Sequence, residues 1–321
     1  MSKIIAVSSF LPKNKLTNDE LELLFPSWKS EKILDKTGIR TRHIANFSQG
    51  SEDLALAAAE NLFKENQISL KKDDIDSLIV LTQTSSQIIP SSACKIHSKL
   101  DLKENCLAFD INQGCAGYIY GLQVANSMIE SKASKYILLL TSDVYSKIIN
   151  KKEANLSTLF GDGATATLIG AEEKNIKNSS IGPFQFGTDG SKFEKLICKN
   201  NFANSLKNNF LYMDGPSILE FTLKKVPEAI HKYLKNNFFS MDDFDYVIFH
   251  QANKFILEKL YKKIGIIDKG IIDMIDSGNT ASGSIPLAIE NLIKRNSYKK
   301  SNILLVGFGS GLSWGITSIR I

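Results

Sequence analysis

Cysteine and histidine are scarce, four of each in 321 residues, and their spacing excludes as much as their number. Cys94, Cys106, Cys115 and Cys198 form no C-x-x-C pair and have no histidine partners at zinc-site spacing. So few thiols in so long a chain argue against a disulfide framework and leave at least one thiol as a candidate for chemistry. Long apolar runs are missing too. The longest aliphatic stretches, such as Ile137 to Leu140, fall far short of the roughly 20 residues that cross a bilayer. The opening MSKIIAVSSF has one lysine and no long apolar segment ending in a small-residue cleavage site. Both features predict a cytoplasmic protein. Charge of one sign is weak: +5 net against 34 acidic residues is too mild to imply nucleic acid, though it allows a local basic face for an acidic protein partner. With 43% hydrophobic and 23% charged residues, the chain has the profile of a soluble globular protein.

Strand-like and helical runs alternate almost throughout, which favours α/β architecture. Strands are expected at Lys3 to Ser8, Ser77 to Thr82, Cys106 to Ile111, Tyr136 to Thr141, Tyr246 to His250 and Asn302 to Gly307. Several are continuous apolar runs, as in strands covered on both faces. Helices are expected at 51–66, 116–131, 217–235, 253–264 and 285–295; in the second, Ile119, Leu122, Ala125 and Ile129 share a face. Pro286 after Ser284 suits a first helical turn. A faint internal echo links FDINQGCAGYIYGL to VIFHQANKFILEKL, each reading as strand, turn and helix. Two similar βα halves would bring both turns to a shared centre. The Asn- and Lys-rich stretch Lys192 to Asn209 reads as a surface excursion, and no low-complexity linker divides the chain.

Cys115 follows the apolar strand CLAFDI and the turn Asn112-Gln113-Gly114, just ahead of a helix. Unpaired N–H groups at a helix start favour a thiolate, and small neighbours leave room for a substrate. The alternative is a core cysteine; the other three thiols read as structural. His250 ends the strand YVIFH, at the carboxyl end of a sheet strand where α/β proteins hold ligands. His43, His97 and His231 read as hydrogen-bonded structural residues. Asn279 lies in the glycine-bearing loop SGNTASGSIP, where an Asn beside Gly is most often a plain turn residue. GFGSGLSWG and GDGATA resemble dinucleotide loops but lead into strands instead of helices. The glycines from Gly307 to Gly311 imply either close backbone approach to a ligand or a tight hairpin. Neither a P-loop nor a metal-ligand cluster is present in the sequence.

Taken together and in order, QGCAG, HQAN, GNTASGSIPLAI and FGSGLSWG resemble β-ketoacyl-acyl carrier protein synthase III, of the thiolase superfamily. DKTGIRTRH, PSSAC, FGDGA and TDGS extend the likeness over nearly the whole chain. The resemblance implies the five-layered αβαβα thiolase fold, built from pseudo-symmetric halves at 1–175 and 176–321. It also implies a Cys-His-Asn site on Cys115, His250 and Asn279, used in fatty-acid biosynthesis for decarboxylative condensation of a Cys-bound acyl group with a malonyl-type thioester. Backbone N–H groups of Cys115 and of the Gly309–Ser310 region would cradle an oxyanion. Gly215, Ala252 and Asn253 match a pantetheine tunnel, Phe308 an aromatic near the nucleophile, and Ile89 a site shaping the acyl pocket across a homodimer interface. Lys254, Lys259, Lys262 and Lys263 resemble a face that receives acyl carrier protein, or form a solvated helix face. Substrates would arrive as phosphopantetheine thioesters on carrier protein or coenzyme A, with no tightly bound cofactor or metal.

Several residues depart from the family pattern. Lys32 stands where a tryptophan is expected to clamp the adenine of coenzyme A, with Trp28 one turn earlier. Lys36, Ala154 and Phe255 replace arginines, and Ser310 replaces the middle glycine of its loop. Lysine cannot reproduce a planar stacked contact, so a specialised member, fed by a carrier protein or a non-acetyl primer, is expected. The runner-up is an acyltransferase passing the acyl group to an alcohol or amine without decarboxylation; a third reading is a non-catalytic docking subunit.

Overall fold

The computed structural model describes residues 2–65, 70–171, 181–199, 210–295 and 300–321. Side-chain alternation along its strands accounts for its layers. In the strand Tyr136–Asp143, Leu138 and Leu140 enter one core while Ile137 and Leu139 enter another. Ser77–Leu81 divides Leu78 and Val80 from Ile79 and Leu81 in the same way. Successive residues of a strand point to opposite faces, so an unbroken apolar run requires cover on both.

Helices Ser51–Glu65 and Ser92–Leu100 cover one face of the first sheet. Helices Gly117–Glu130 and Ser284–Lys294 lie between the two sheets, where Ile119, Leu122, Ile285 and Ile289 meet Ile79, Leu139, Ile303 and Leu305. Helices Gly215–Asn236 and Lys254–Ile264 close the far side on Leu304, Val306 and Ile316. The result is αβαβα. Close helix-to-sheet approach at the centre depends on Gly121, where an added methyl would lie 2.8 Å from side-chain atoms of Leu81 and Leu139. Truncating a central residue such as Leu122, fully buried here, would cost about 2–5 kcal/mol.

The first sheet runs Ser2–Phe10, Gly163–Ala171, Tyr136–Asp143, Ser77–Leu81 and Leu107–Ile111. Its first two pairings are antiparallel and the rest parallel. The second sheet, taken from Ile181–Thr188 through Ser313–Arg320 and Asn302–Gly309 to Tyr246–Phe249, repeats antiparallel, antiparallel, parallel. The faint sequence echo is thus a repeated topology.

Expected elements all form, with shifted ends. The strand expected to finish at His250 stops at Phe249, although the His250 N–H still donates to the Val306 carbonyl at 2.8 Å. Within the expected surface excursion, Leu196–Ile197 forms a strand that pairs with Tyr212–Met213. Residues 200–209 and the expected 175/176 boundary lie outside the described residues. Of the three cysteines read as structural, only Cys106 is buried; Cys94 and Cys198 are exposed. His43 and His97 bond the carbonyls of Pro12 and Lys103, whereas His231 is exposed on its helix. No described helix is long and apolar enough to cross a membrane.

Candidate active site

Both strand-to-helix turns open onto one cleft of about 770 Å³, whose walls include Cys115, His250 and Asn279. The turn carrying Cys115 is held from both halves. Gln113 donates to the Ser313 hydroxyl at 2.8 Å, and Gln83 donates to Asn112 at 3.3 Å. Cys115 itself lies one residue before the helix N-cap, Ala116, and is 6% exposed. Burial, aided by the nearby charge of Asp143, pushes its thiol up to about 12. This corrects the expectation of a resting thiolate: desolvation outweighs the helix end, so the sulfur must shed its proton as it attacks.

The imidazole that lines the same cleft is neutral. Burial holds His250 down to about 3. Its Nδ1 lies 2.8 Å from the Ser284 hydroxyl, which also accepts from the Gln251 N–H at 3.3 Å. Its Nε2 lies 3.5 Å from the Asn279 Nδ2. The Ala281 N–H donates to Asn279 Oδ1 at 2.9 Å, which turns the amide nitrogen toward the imidazole. That network assigns the hydrogen to Nδ1 and leaves a lone pair on Nε2. An N–H at Nε2 would require a tautomer change, which Ser284 permits because a hydroxyl both donates and accepts. The Phe308 ring packs edge-on against His250, centroids 5.6 Å apart, and helps keep water out.

Gly309 closes the wall behind the sulfur. A methyl there would sit 2.6 Å from Cys115 Cβ and 3.1 Å from its Sγ, so close approach demands glycine. Of the two readings offered for Gly307 to Gly311, the hairpin is observed, Asn302–Gly309 pairing antiparallel with Ser313–Arg320, and the close backbone approach seen is to Cys115. Gly311 to Gly315 has the G-x-S-x-G spacing of a serine nucleophile, but Ser313 starts a strand and its hydroxyl donates to the Ser310 carbonyl at 2.7 Å.

Gly215, Ala252, Asn253 and Phe308 line the cleft as expected. Asn253 also caps its helix, its side chain accepting from the Ile256 N–H at 2.9 Å. Ser310 is not among the lining residues, and its hydroxyl faces Gly114. Ile89 does not reach the cleft of its own chain and is 85% exposed. At the mouth, Trp28, Lys36, Glu153, Asn155 and Phe255 contribute, while Lys32 and Ala154 do not. Among the four lysines, Lys254 pairs with Glu258, Lys259 lies over the Phe255 ring and Lys263 donates to the Leu223 carbonyl. Lys262 stands in the last turn of the same helix. Ser284 and Asp143 were missed in the sequence. The signal for Asp143 was available: a carboxylate ending the apolar strand YILLLTSD points toward the crevice at a strand's carboxyl end.

Models of the family described as 3-oxoacyl-[acyl-carrier-protein] synthase III match residues 109–190, and its C-terminal part residues 234–321. A β-ketoacyl-[acyl-carrier-protein] synthase III of Clostridium perfringens is 35% identical over 329 residues, covering 100% of this chain and 99% of the relative. The chain belongs to the 3-oxoacyl-acyl carrier protein synthase III family of condensing acyltransferases. A synthase III from Natranaerobius thermophilus shares 34% identity over 331 residues, with 99% of each chain covered. A crystal structure of a 3-oxoacyl-(acyl-carrier-protein) synthase III superposes with a TM-score of 0.93 at 36% identity, covering 100% of this chain and 99% of that one. Synthase III relatives thus share the thiolase fold across the full length of this chain.

Proposed function

We propose that this synthase III family member forms a β-ketoacyl thioester in two half-reactions centred on Cys115, His250 and Asn279. In the first, Cys115 Sγ attacks an acyl thioester and the thiol proton passes to His250 Nε2. The Cys115 and Gly309 N–H groups hold the oxyanion, and Ser310 acts only as part of their loop. The old C–S bond breaks, and the departing thiolate takes the proton from His250. In the second, a malonyl-type thioester loses carbon dioxide, and the electron pair of the broken C–C bond becomes an enolate. Asn279 Nδ2 donates to its oxygen, joined by His250 once Ser284 donates to Nδ1 and Nε2 carries the hydrogen. The enolate carbon attacks acyl-Cys115, the acyl C–S bond breaks, and the released thiolate takes a proton from water. The carrying observation is the amide–imidazole pair, 3.5 Å apart, lining the same cleft as the thiol. Carbon dioxide release from a malonyl thioester by acyl-loaded enzyme tests it; loading without release favours simple acyl transfer.

Carrier-bound thioesters are the proposed donors, because the cleft mouth offers Trp28 and Lys36 but no arginine. Loading should be faster from carrier protein than from coenzyme A; equal rates would defeat this. Lys262 and its neighbours are the proposed docking face, and phosphopantetheine carries the acyl group past Gly215, Ala252 and Asn253. A cytoplasmic homodimer of chains with halves near 1–175 and 176–321 completes the reading. The strand Leu107–Ile111 supports the dimer as an open sheet edge with Leu107 54% exposed, the kind of edge a second chain covers. Ile89 would then serve the partner's pocket. Sedimentation at micromolar concentration checks the dimer.

A further inference from the structure

One buried carboxylate has no part in the chemistry above. Asp143 ends the strand Tyr136–Asp143 and is 0% exposed. It accepts from the Gln83 N–H at 2.9 Å and the Thr84 hydroxyl at 3.4 Å on one side. On the other it accepts from the Ser282 N–H at 3.2 Å and the Ser282 hydroxyl at 2.5 Å. The first pair belongs to the loop whose Gln83 side chain steadies the nucleophile turn, donating to Asn112 and accepting from the Tyr145 hydroxyl at 2.9 Å. The second pair belongs to the turn Ala281–Gly283. Its first residue, Ala281, makes the N–H bond that orients the Asn279 amide.

We infer that Asp143 is a positioning residue that sets the Asn279 amide against His250, acting through Ser282 and Ala281 on the decarboxylating half-reaction. This rests on the condensing role proposed above. A carboxylate taken out of water is costly unless donors surround it. Four donors drawn from two loops account for its retention, and they make its geometry the shared reference for both turns. Its charge has a second effect, opposite in sign: it opposes ionisation of Cys115.

Asp143→Asn separates the two. The amide oxygen can still serve Gln83 and Thr84, but its NH2 then confronts the Ser282 N–H, so that turn must move. Displacement of about 1 Å at a reacting group can cost roughly 100-fold. Decarboxylation of a malonyl thioester should therefore fall about 10- to 100-fold. Alkylation of Cys115 by iodoacetamide at pH 8 should meanwhile be at least as fast as in wild type. Ser282→Ala, a milder change, should slow decarboxylation by about 3- to 10-fold through the one lost hydrogen bond and leave alkylation unchanged. Parallel loss of alkylation and decarboxylation in Asp143→Asn marks a general structural role and overturns the inference. Unchanged decarboxylation in Ser282→Ala does the same, even if the Asp143 variant fails to fold. Wild-type enzyme that loads acyl groups but releases no carbon dioxide overturns the condensing reading, and this inference with it.

Discussion

Replacing Gly309 by alanine tests the oxyanion cradle most directly. The new methyl carbon would stand 2.6 Å from Cys115 Cβ, whereas carbon atoms rest at about 3.5–4.0 Å. The shortfall is about 1 Å. Cys115 is tethered through Gln113 to Ser313, and Gly309 sits in a hairpin paired along its whole length, so neither side yields freely. Such overpacking costs about 1–3 kcal/mol of stability. The larger effect is on rate, because the Gly309 N–H moves away from the developing oxyanion. Loss of one such donor slows the chemical step about 100- to 1,000-fold. The assay is the time course of acyl transfer to Cys115, followed by intact mass, with thermal unfolding to confirm folding. Gly190→Ala is the control, since a methyl there meets nothing within 4 Å. If folded Gly309→Ala acylates within about threefold of wild type, far short of the donor-loss range, the backbone at 309 does not hold the oxyanion.

Asn279→Ala should lower malonyl decarboxylation about 100- to 1,000-fold while acyl loading stays near wild type, as measured by released carbon dioxide against intact mass. Acid stability should expose two opposed titrations. His250 is held to about 3 in the fold against about 6.5 unfolded, so between those values the unfolded chain binds the extra proton and stability falls as pH falls. Asp143 is raised to about 6 against about 3.9 unfolded, so it contributes the reverse slope, stability falling as pH rises. Each slope is at most about 1.4 kcal/mol per pH unit, and they offset each other from about pH 4 to 6. In Asp143→Asn only the histidine slope remains, so its urea midpoint should drop more steeply than wild type from pH 6 to 4; equal slopes would refute this. Lys262→Glu should raise KM several-fold for a carrier-bound primer, consistent with a rim charge acting mainly on encounter, and leave KM for an acyl-pantetheine unchanged.

The layers were legible because their cause is local. Runs such as Ile137 to Leu140 can only be strands covered on both faces, and the spacing of Ile119, Leu122 and Ala125 marks the helix that covers them. The three candidate site side chains were legible through the motifs QGCAG, HQAN and GNTASGSIPLAI taken together; turn placement alone left core, structural and plain-turn roles open. What escaped the sequence depends on tertiary closure. The acidity of Cys115 is set by its burial, to which Gly309, far along the chain, contributes by closing against its side chain. The roles of Ser284 and Asp143 arise from contacts across long sequence separations, His250 to Ser284 and Ser282 to Asp143. Ile89 and Ser310 matched a motif, but their positions lie off the cleft wall of this chain.

The hairpin that walls in the sulfur is translated long after the sulfur itself. A nascent chain therefore exposes its nucleophile to water with neither imidazole, amide nor lid in place, and an abortive product interrupted before the hairpin has a bare, unassisted thiol. The imidazole and amide that would assist the sulfur join it only when both repeats have emerged and docked. Incomplete copies accordingly carry a thiol of ordinary acidity without the groups that line the finished cleft.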